Sequence, residues 1–160
     1  MKKALTPYIS TAIIIMLGVV AITLTLTTVT PALDKAKDSA IINEAFQNLN
    51  LIDDTIREVI SEGEYSKRTI SIKVTDGVYN VVSLDNRISF TYSLKSDLNL
   101  GGQRDRVNIT SSMGNVNLFV SYNKVDIQGS DHFFKGENSV LIMHNGINTT
   151  TNYPMIYVGR

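Results

Sequence analysis

Hydrophobic and polar positions divide the chain into three stretches with different periods. After Lys2 and Lys3, no charged side chain occurs until Asp34, and residues 8–33 are apolar on every face, broken only by Ser and Thr. From residue 34 to 62 the apolar positions Ile41, Ile42, Ala45, Phe46, Leu49, Ile52, Ile56, Val59 and Ile60 recur at steps of three and four, the spacing of one helical stripe. Beyond Gly63 the period becomes two. Ile70, Ile72 and Val74 alternate with polar residues, as do Ile88, Phe90, Tyr92 and Leu94, then Val107 and Ile109, then Val116, Leu118, Val120 and Tyr122.

The elements follow from these periods. At about 1.5 Å per residue, roughly 20 helical residues cross the ~30 Å hydrocarbon core of a bilayer, and residues 8–27 alone suffice. A lone strand would leave its amides unpaired in lipid, so this run is predicted to be helical, with the Thr hydroxyls bonding back to carbonyls one turn earlier. Gly18 and Pro31 are its weak points, and a bend is expected near Pro31 because Pro cannot donate to the carbonyl of Thr27. The run joins the amphipathic stretch without a linker, giving a near-continuous helix of about 80 Å that ends at Glu62 and Gly63. In the second half, Asp38, Glu44, Asp54, Arg57 and Glu58 are assigned to a wet back.

The remainder reads as half-buried antiparallel strands. Asp76-Gly77 is expected to be a tight hairpin turn, Asp85-Asn86 another, so that the first three strands form a meander. Strands near residues 140–143 and 155–158 complete the sheet, and residues 123–138 are read as a long polar loop that tucks Phe133 and Phe134 beneath it. The inner face of the sheet needs a cover, and the stripe from Ile41 to Ile60 provides it. The expected class is α+β: a long hydrophobic-to-amphipathic N-terminal helix (residues 5–62) packed on a C-terminal antiparallel β-sheet domain (residues 63–160).

Charge adds orientation. Of the 15 basic and 15 acidic residues in this 160-residue chain, residues 34–62 hold three basic and seven acidic, and residues 63–160 hold ten and eight. Lys2 and Lys3 before the apolar run favour a cytoplasmic N-terminus, with the bulk of the chain outside. The basic residues form no patch, so nucleic acid is not an expected partner. Cysteine is absent, which excludes disulfides, thiolate catalysis and zinc-thiolate sites.

Candidate chemistry is sparse. The two histidines, His132 and His144, match no metal-ligand spacing with Asp126, Asp131 or Glu137 and read as solvated loop residues. Asp53 and Asp54 are adjacent on a helix and diverge, which suits capping or solvation better than a carboxylate pair. No phosphate loop, nucleophile elbow or Ser/His/Asp arrangement is visible, so neither enzymatic activity, a cofactor nor a metal is expected. Asn108-Ile-Thr and Asn148-Thr-Thr satisfy the acceptor pattern for N-glycosylation outside the cell.

The opening Lys2-Lys3-Ala4-Leu5-Thr6-Pro7, followed by a hydrophobic helix, resembles the class III signal peptide of archaeal type IV pilins and archaellins, in which a short basic leader is cut just before the apolar segment. The resemblance implies a leader of residues 1–4, cleavage between Ala4 and Leu5 after Lys3, and Thr6-Pro7 near the mature N-terminus. Ala4 stands where Gly is commonest in that family. Ile9 stands where bacterial pilins carry a glutamate, which points to the archaeal branch. The resemblance further implies a membrane-inserted precursor, a prepilin peptidase and pilus assembly machinery as partners, and polymerisation with copies of itself. The filament core would then be built from Ile9, Ile13, Ile14, Leu17, Gly18, Ile22, Leu26 and Pro31, with adhesion or surface attachment as the use. Ser10, Thr11, Ala12, Gly18 and Ala21 would let such helices approach closely. The competing reading is a single-pass membrane-anchored extracellular β-domain, uncleaved and monomeric. A conventional secretory signal fits poorly, since its apolar core spans roughly 7–15 residues.

Overall fold

A computed structural model describes residues 5–129 and 132–160. One helix, α1, spans Leu5–Glu62. Ten strands follow among the described residues: β1 Lys67–Val74, β2 Val78–Val82, β3 Arg87–Ser93, β4 Gly102–Arg104, β5 Val107–Ser112, β6 Asn115–Ser121, β7 Asp126–Gln128, β8 His132–Phe133, β9 Gly136–Ile147 and β10 Pro154–Gly159. The α+β class and the long helix agree with the sequence reading. The helix is unbroken at Pro31. The hydroxyls of Thr23, Thr25, Thr27 and Thr30 donate to the carbonyls of Val19, Ala21, Leu24 and Leu26, so the polar groups of this run are satisfied within the helix.

The strands form two sheets rather than the single sheet expected. One has the order β1-β9-β10-β7, the other β4-β5-β6-β3-β2-β8. The second is antiparallel throughout, while the first contains a parallel pair, β10 with β7. The predicted meander is therefore corrected at its first step. β2 and β3 do pair, with Val82 opposite Arg87, through a 3₁₀ turn at Ser83–Asp85 and a left-handed Asn86. β1 instead pairs with β9, and Asp76-Gly77 carries the chain from one sheet to the other. The reason lies in the helix. Glu44 accepts hydrogen bonds from the Thr75 amide and hydroxyl, both at 2.7 Å, and Asn48 donates to the Lys73 carbonyl at 2.7 Å, so α1 occupies backbone groups that a β1–β2 hairpin would need.

A single core holds the layers together. Ile41, Ala45, Leu49, Ile52, Ile56 and Val59 of α1 meet Ile72 and Val74 of β1, Val140 and Ile142 of β9, and Phe90, Leu118 and Val120 of the second sheet. Burial of each large side chain stabilises by about 1.5–3 kcal/mol before chain entropy is set against it. The stripe predicted to cover the sheet thus covers both sheets. Residues 123–138 are not a plain loop, since they include β7 and β8. Phe133 is fully buried and Arg160 lies 5.9 Å above its ring, but Phe134 is exposed, so only one of the two phenylalanines tucks in.

Gly77 is needed where the chain changes sheets. Its φ is 89°, and a Cβ there would lie 2.5 Å from the Phe90 ring and 2.9 Å from the Thr91 carbonyl. Gly77→Ala is expected to destabilise the domain by about 2–4 kcal/mol, combining a left-handed backbone with a clash against core and main chain. Gly63→Ala, also at positive φ but facing open space, should cost only about 1 kcal/mol. Urea unfolding of the full chain in detergent, followed by near-UV signal, checks the difference. Equal costs would contradict this account of Gly77.

Candidate functional site

The helix has two environments along one continuous backbone. From Tyr8 to Leu33 every residue whose side chain is described is exposed, including Ile9, Ile13, Ile14, Leu17, Ile22 and Leu26. Because Ile13, Ile14, Ile15, Met16 and Leu17 are consecutive and all more than half exposed, no face of the helix is polar. Gly18 has open space around its Cα. The structure therefore brings none of the predicted core-helix residues against the sheet domain, and Pro31 is likewise exposed. By length and composition this helix is able to cross a membrane.

Below that run, polar side chains fasten α1 to the sheets. Asp38 is fully buried: Oδ1 accepts from the Tyr92 hydroxyl at 2.7 Å, and Oδ2 accepts from the Lys95 amide, the Ser96 amide and the Ser96 hydroxyl at 2.9, 2.9 and 2.7 Å. Burial raises the pKa of this carboxyl, but the hydrogen bonds from Ser96, Tyr92 and the two amides together outweigh it, and the net shift is downward. Burial and then Asp38 itself push the Tyr92 hydroxyl up. Further along, Asn48 also donates to the Tyr79 hydroxyl at 3.1 Å, and the Arg104 guanidinium sits 4.4 Å above the Phe46 ring.

Asp53 and Asp54 form the next fastening. Asp53 is fully buried and its Oδ2 receives Arg57 at 3.0 Å and Arg106 at 2.8 Å. Exposed Asp54 pairs with the same Arg106. The two carboxylates meet the same guanidinium, and the solvated role expected of them holds for exposed Asp54 but not for buried Asp53. Arg106 reaches both by presenting Nε to one and a terminal nitrogen to the other. At the end of the helix, Arg68 joins Glu58 at 2.9 Å and Glu62 at 2.5 Å. The wet back assigned from sequence is thus corrected at buried Asp38 and half-buried Glu44, whereas Asp54 and Glu58 are exposed as expected while also holding Arg106 and Arg68.

The remaining sequence candidates are dispersed. Lys3 and Ala4 lie outside the described residues, and Leu5 opens the helix. Asn108 is half-buried on β5, while Asn148 is engaged, donating to Asp126 at 2.7 Å and accepting from the Thr150 amide at 2.9 Å. His144 is not a loop residue: it sits buried on β9 with both ring nitrogens unpartnered. His132 lies on β8 with Nδ1 2.5 Å from the Asn80 side-chain oxygen. Asp131 is outside the described residues. Among the described residues no three His, Asp or Glu side chains gather as metal ligands.

The Asp38 fastening makes stability depend on pH in a defined direction. Its folded pKa is lowered, so its contribution is present above the ordinary value of 3.8 and disappears as pH falls through the folded value. At neutral pH Asp38→Ala should cost about 3–5 kcal/mol, since it strands buried donors that a charged acceptor had satisfied. The gap between Asp38→Asn and the unsubstituted chain, measured by urea titration at a series of pH values, should be constant near neutrality and shrink below about pH 4. A gap that does not change with pH would contradict a charged Asp38.

Comparison with known proteins finds no family model that matches the chain, no similar curated protein and no similar solved structure.

Proposed function

We propose that the chain is the structural subunit of an extracellular type IV pilus-like filament, polymerising through its N-terminal helix for adhesion or surface attachment. The observation that carries this reading is the bare helix, apolar on every face over residues 8–33 yet continuous with a stripe that is fully used inside the domain. Such a helix is stable in lipid, and outside lipid it needs equally apolar neighbours. Identical helices are the simplest neighbours, and a uniform offset between copies makes an interface that does not close, which generates a filament. Helices would form the fibre core and the sheets its wall. The leader resemblance at Lys3, Ala4 and Leu5 supplies the route: insertion with the N-terminus in the cytoplasm, cleavage by a prepilin peptidase, then extraction into the polymer by an assembly machinery. Asn108 and Asn148 would carry any glycans on the outer wall.

A second reading, a membrane-anchored β-domain that does not polymerise, draws on the same bare helix. Intact mass of the protein from its native cell separates the two. The filament reading expects a chain that begins at Leu5 and sheared surface fibres containing it by negative-stain imaging. A chain retaining Met1, with no fibres where the protein is abundant, would favour the anchored domain.

Both readings require the apolar run to enter a bilayer. Val20→Lys places a charge near the middle of that run and should cost about 3 kcal/mol of insertion free energy. Carbonate extraction of membranes is expected to release more of this variant than of the unsubstituted chain, whereas Leu84→Lys, a change on an exposed turn, should leave extraction unaltered.

A further inference from the structure

The apolar run and the second sheet end at the same level. Val116 at the start of β6 pairs with Tyr92, whose hydroxyl rests on Asp38. Tyr122, just past the end of β6, lies with Ile56, Arg57 and Ile60 around one recess and feels the charge of Asp53. Six strand steps cover about 20 Å, close to the ~22 Å that separate Asp38 from Asp53 along the helix. β6 therefore runs alongside α1 in the same direction. The β5–β6 turn lies two to three residues before Val116, and so about 7–10 Å nearer the helix N-terminus. That brings it level with the last turn of the uncharged run.

Two recesses confirm this level independently. One is a shallow recess lined by Thr30, Pro31 and Asp34 of the helix and by Lys95, Ser96 and Asp97 of the loop after β3. The next shares Ser96 and Asp97 with that loop and is closed on its other side by Met113 and Gly114 of the turn, whose Gly114 carbonyl accepts from the Leu94 amide at 2.7 Å. Helix, loop and turn make one rim. At its tip Met113 is 99% exposed, held out by a left-handed backbone with φ 49°.

We propose that this rim is a phospholipid-contacting surface, with Met113 seated in the headgroup layer of the bilayer that the helix crosses. This rests on the membrane-spanning step of the proposed function and not on polymerisation. The headgroup layer adds roughly 5–7 Å outside each hydrocarbon boundary; a span of roughly 20 residues that begins at or after residue 8 puts that boundary between about residues 27 and 33, so the layer reaches the level of the turn. An unbranched, polarisable thioether side chain on a fixed turn offers apolar area that adapts to irregular surroundings. Exposed Lys35 and Lys95 border the rim and have the length to reach phosphate oxygens. Exposed Asp97 and half-buried Asp34 offset both, and Asp38 is committed to Tyr92 and Ser96. The apolar tip rather than net charge therefore carries the contact, and uncharged phosphatidylcholine suffices. The consequence is orientation: the sheet domain is held at a fixed attitude on the membrane instead of swinging on its helix.

Because the chain contains no cysteine, single nitroxide labels report on this directly. The full chain carrying Leu17→Cys, Met113→Cys or Leu84→Cys is placed at one copy per phosphatidylcholine nanodisc, and collisions with a water-soluble nickel chelate are compared with those of oxygen. Leu84 is 98% exposed on the β2–β3 turn, at the far end of β3, and serves as the aqueous reference. The label at 113 is expected to meet the chelate several-fold less often than the label at 84. Equal chelate access at 113 and 84, with the label at 17 protected, overturns the lipid contact while leaving insertion intact. Chelate access at 17 as well overturns the spanning step, and the lipid contact with it. Protection at 113 that appears only with two or more copies per disc assigns the rim to a second chain and overturns the lipid assignment.

Discussion

The rest of the molecule depends on one imbalance: an α-helix whose second half is matched to the sheets and whose first half is matched to nothing in the same chain. About 26 consecutive residues at 1.5 Å rise make a rod close to 40 Å long, all but its last turn beyond the domain. With most of its large apolar side chains more than half exposed, that surface is larger than any apolar patch a soluble monomer normally carries. The backbone of the run is helical throughout, and Thr23, Thr25, Thr27 and Thr30 also bond within the helix. What it lacks is an apolar surrounding, and lipid or further copies of the same helix are the two surroundings that fit.

The fastening of the second half explains how a helix so exposed stays rigidly joined to its domain. Apolar packing alone would allow the stripe to slide by a turn, because helical ridges repeat. Asp38, Glu44, Asn48 and Asp53 prevent this by meeting specific backbone and side-chain donors or acceptors at fixed heights. Each such polar contact is individually modest in net free energy, and losing a partner is costly at Asp38 and Asp53, whose carboxylates are buried. A load applied along the helix would therefore be transmitted to both sheets, which suits a part that is either anchored or packed into a fibre.

Much of this was legible in the sequence because periodicity reports on local burial. The change from continuous apolar to three-and-four spacing to alternation marks the bare helix, the packed helix and most strands. The sheet partition was not legible, because strand pairing depends on partners far along the chain: β1 finds β9, and the helix blocks its partnership with β2. Three short strands, β4, β7 and β8, have too few residues for a period to show. The fastening residues were read as solvated on polarity alone, although spacing held a signal. Asp38 lies three and four residues before Ile41 and Ile42, and Asp53 lies four after Leu49 and three before Ile56. Both sit in the apolar stripe, where a carboxylate persists only with buried partners. Those partners, Tyr92, Ser96 and Arg106, lie more than 50 residues away in sequence and carry no motif.

The central claim is that insertion and assembly are driven by the apolar first half of α1, without which the sheet domain stays in solution as a monomer. Sedimentation velocity in detergent-free buffer, comparing the full chain with a chain that begins at Asp34, tests it most directly. The account predicts that the full chain sediments as large assemblies, and that the shortened chain runs as a monomer with an unchanged near-UV spectrum. A full chain that runs as a soluble monomer, or a shortened chain that still assembles, would contradict it.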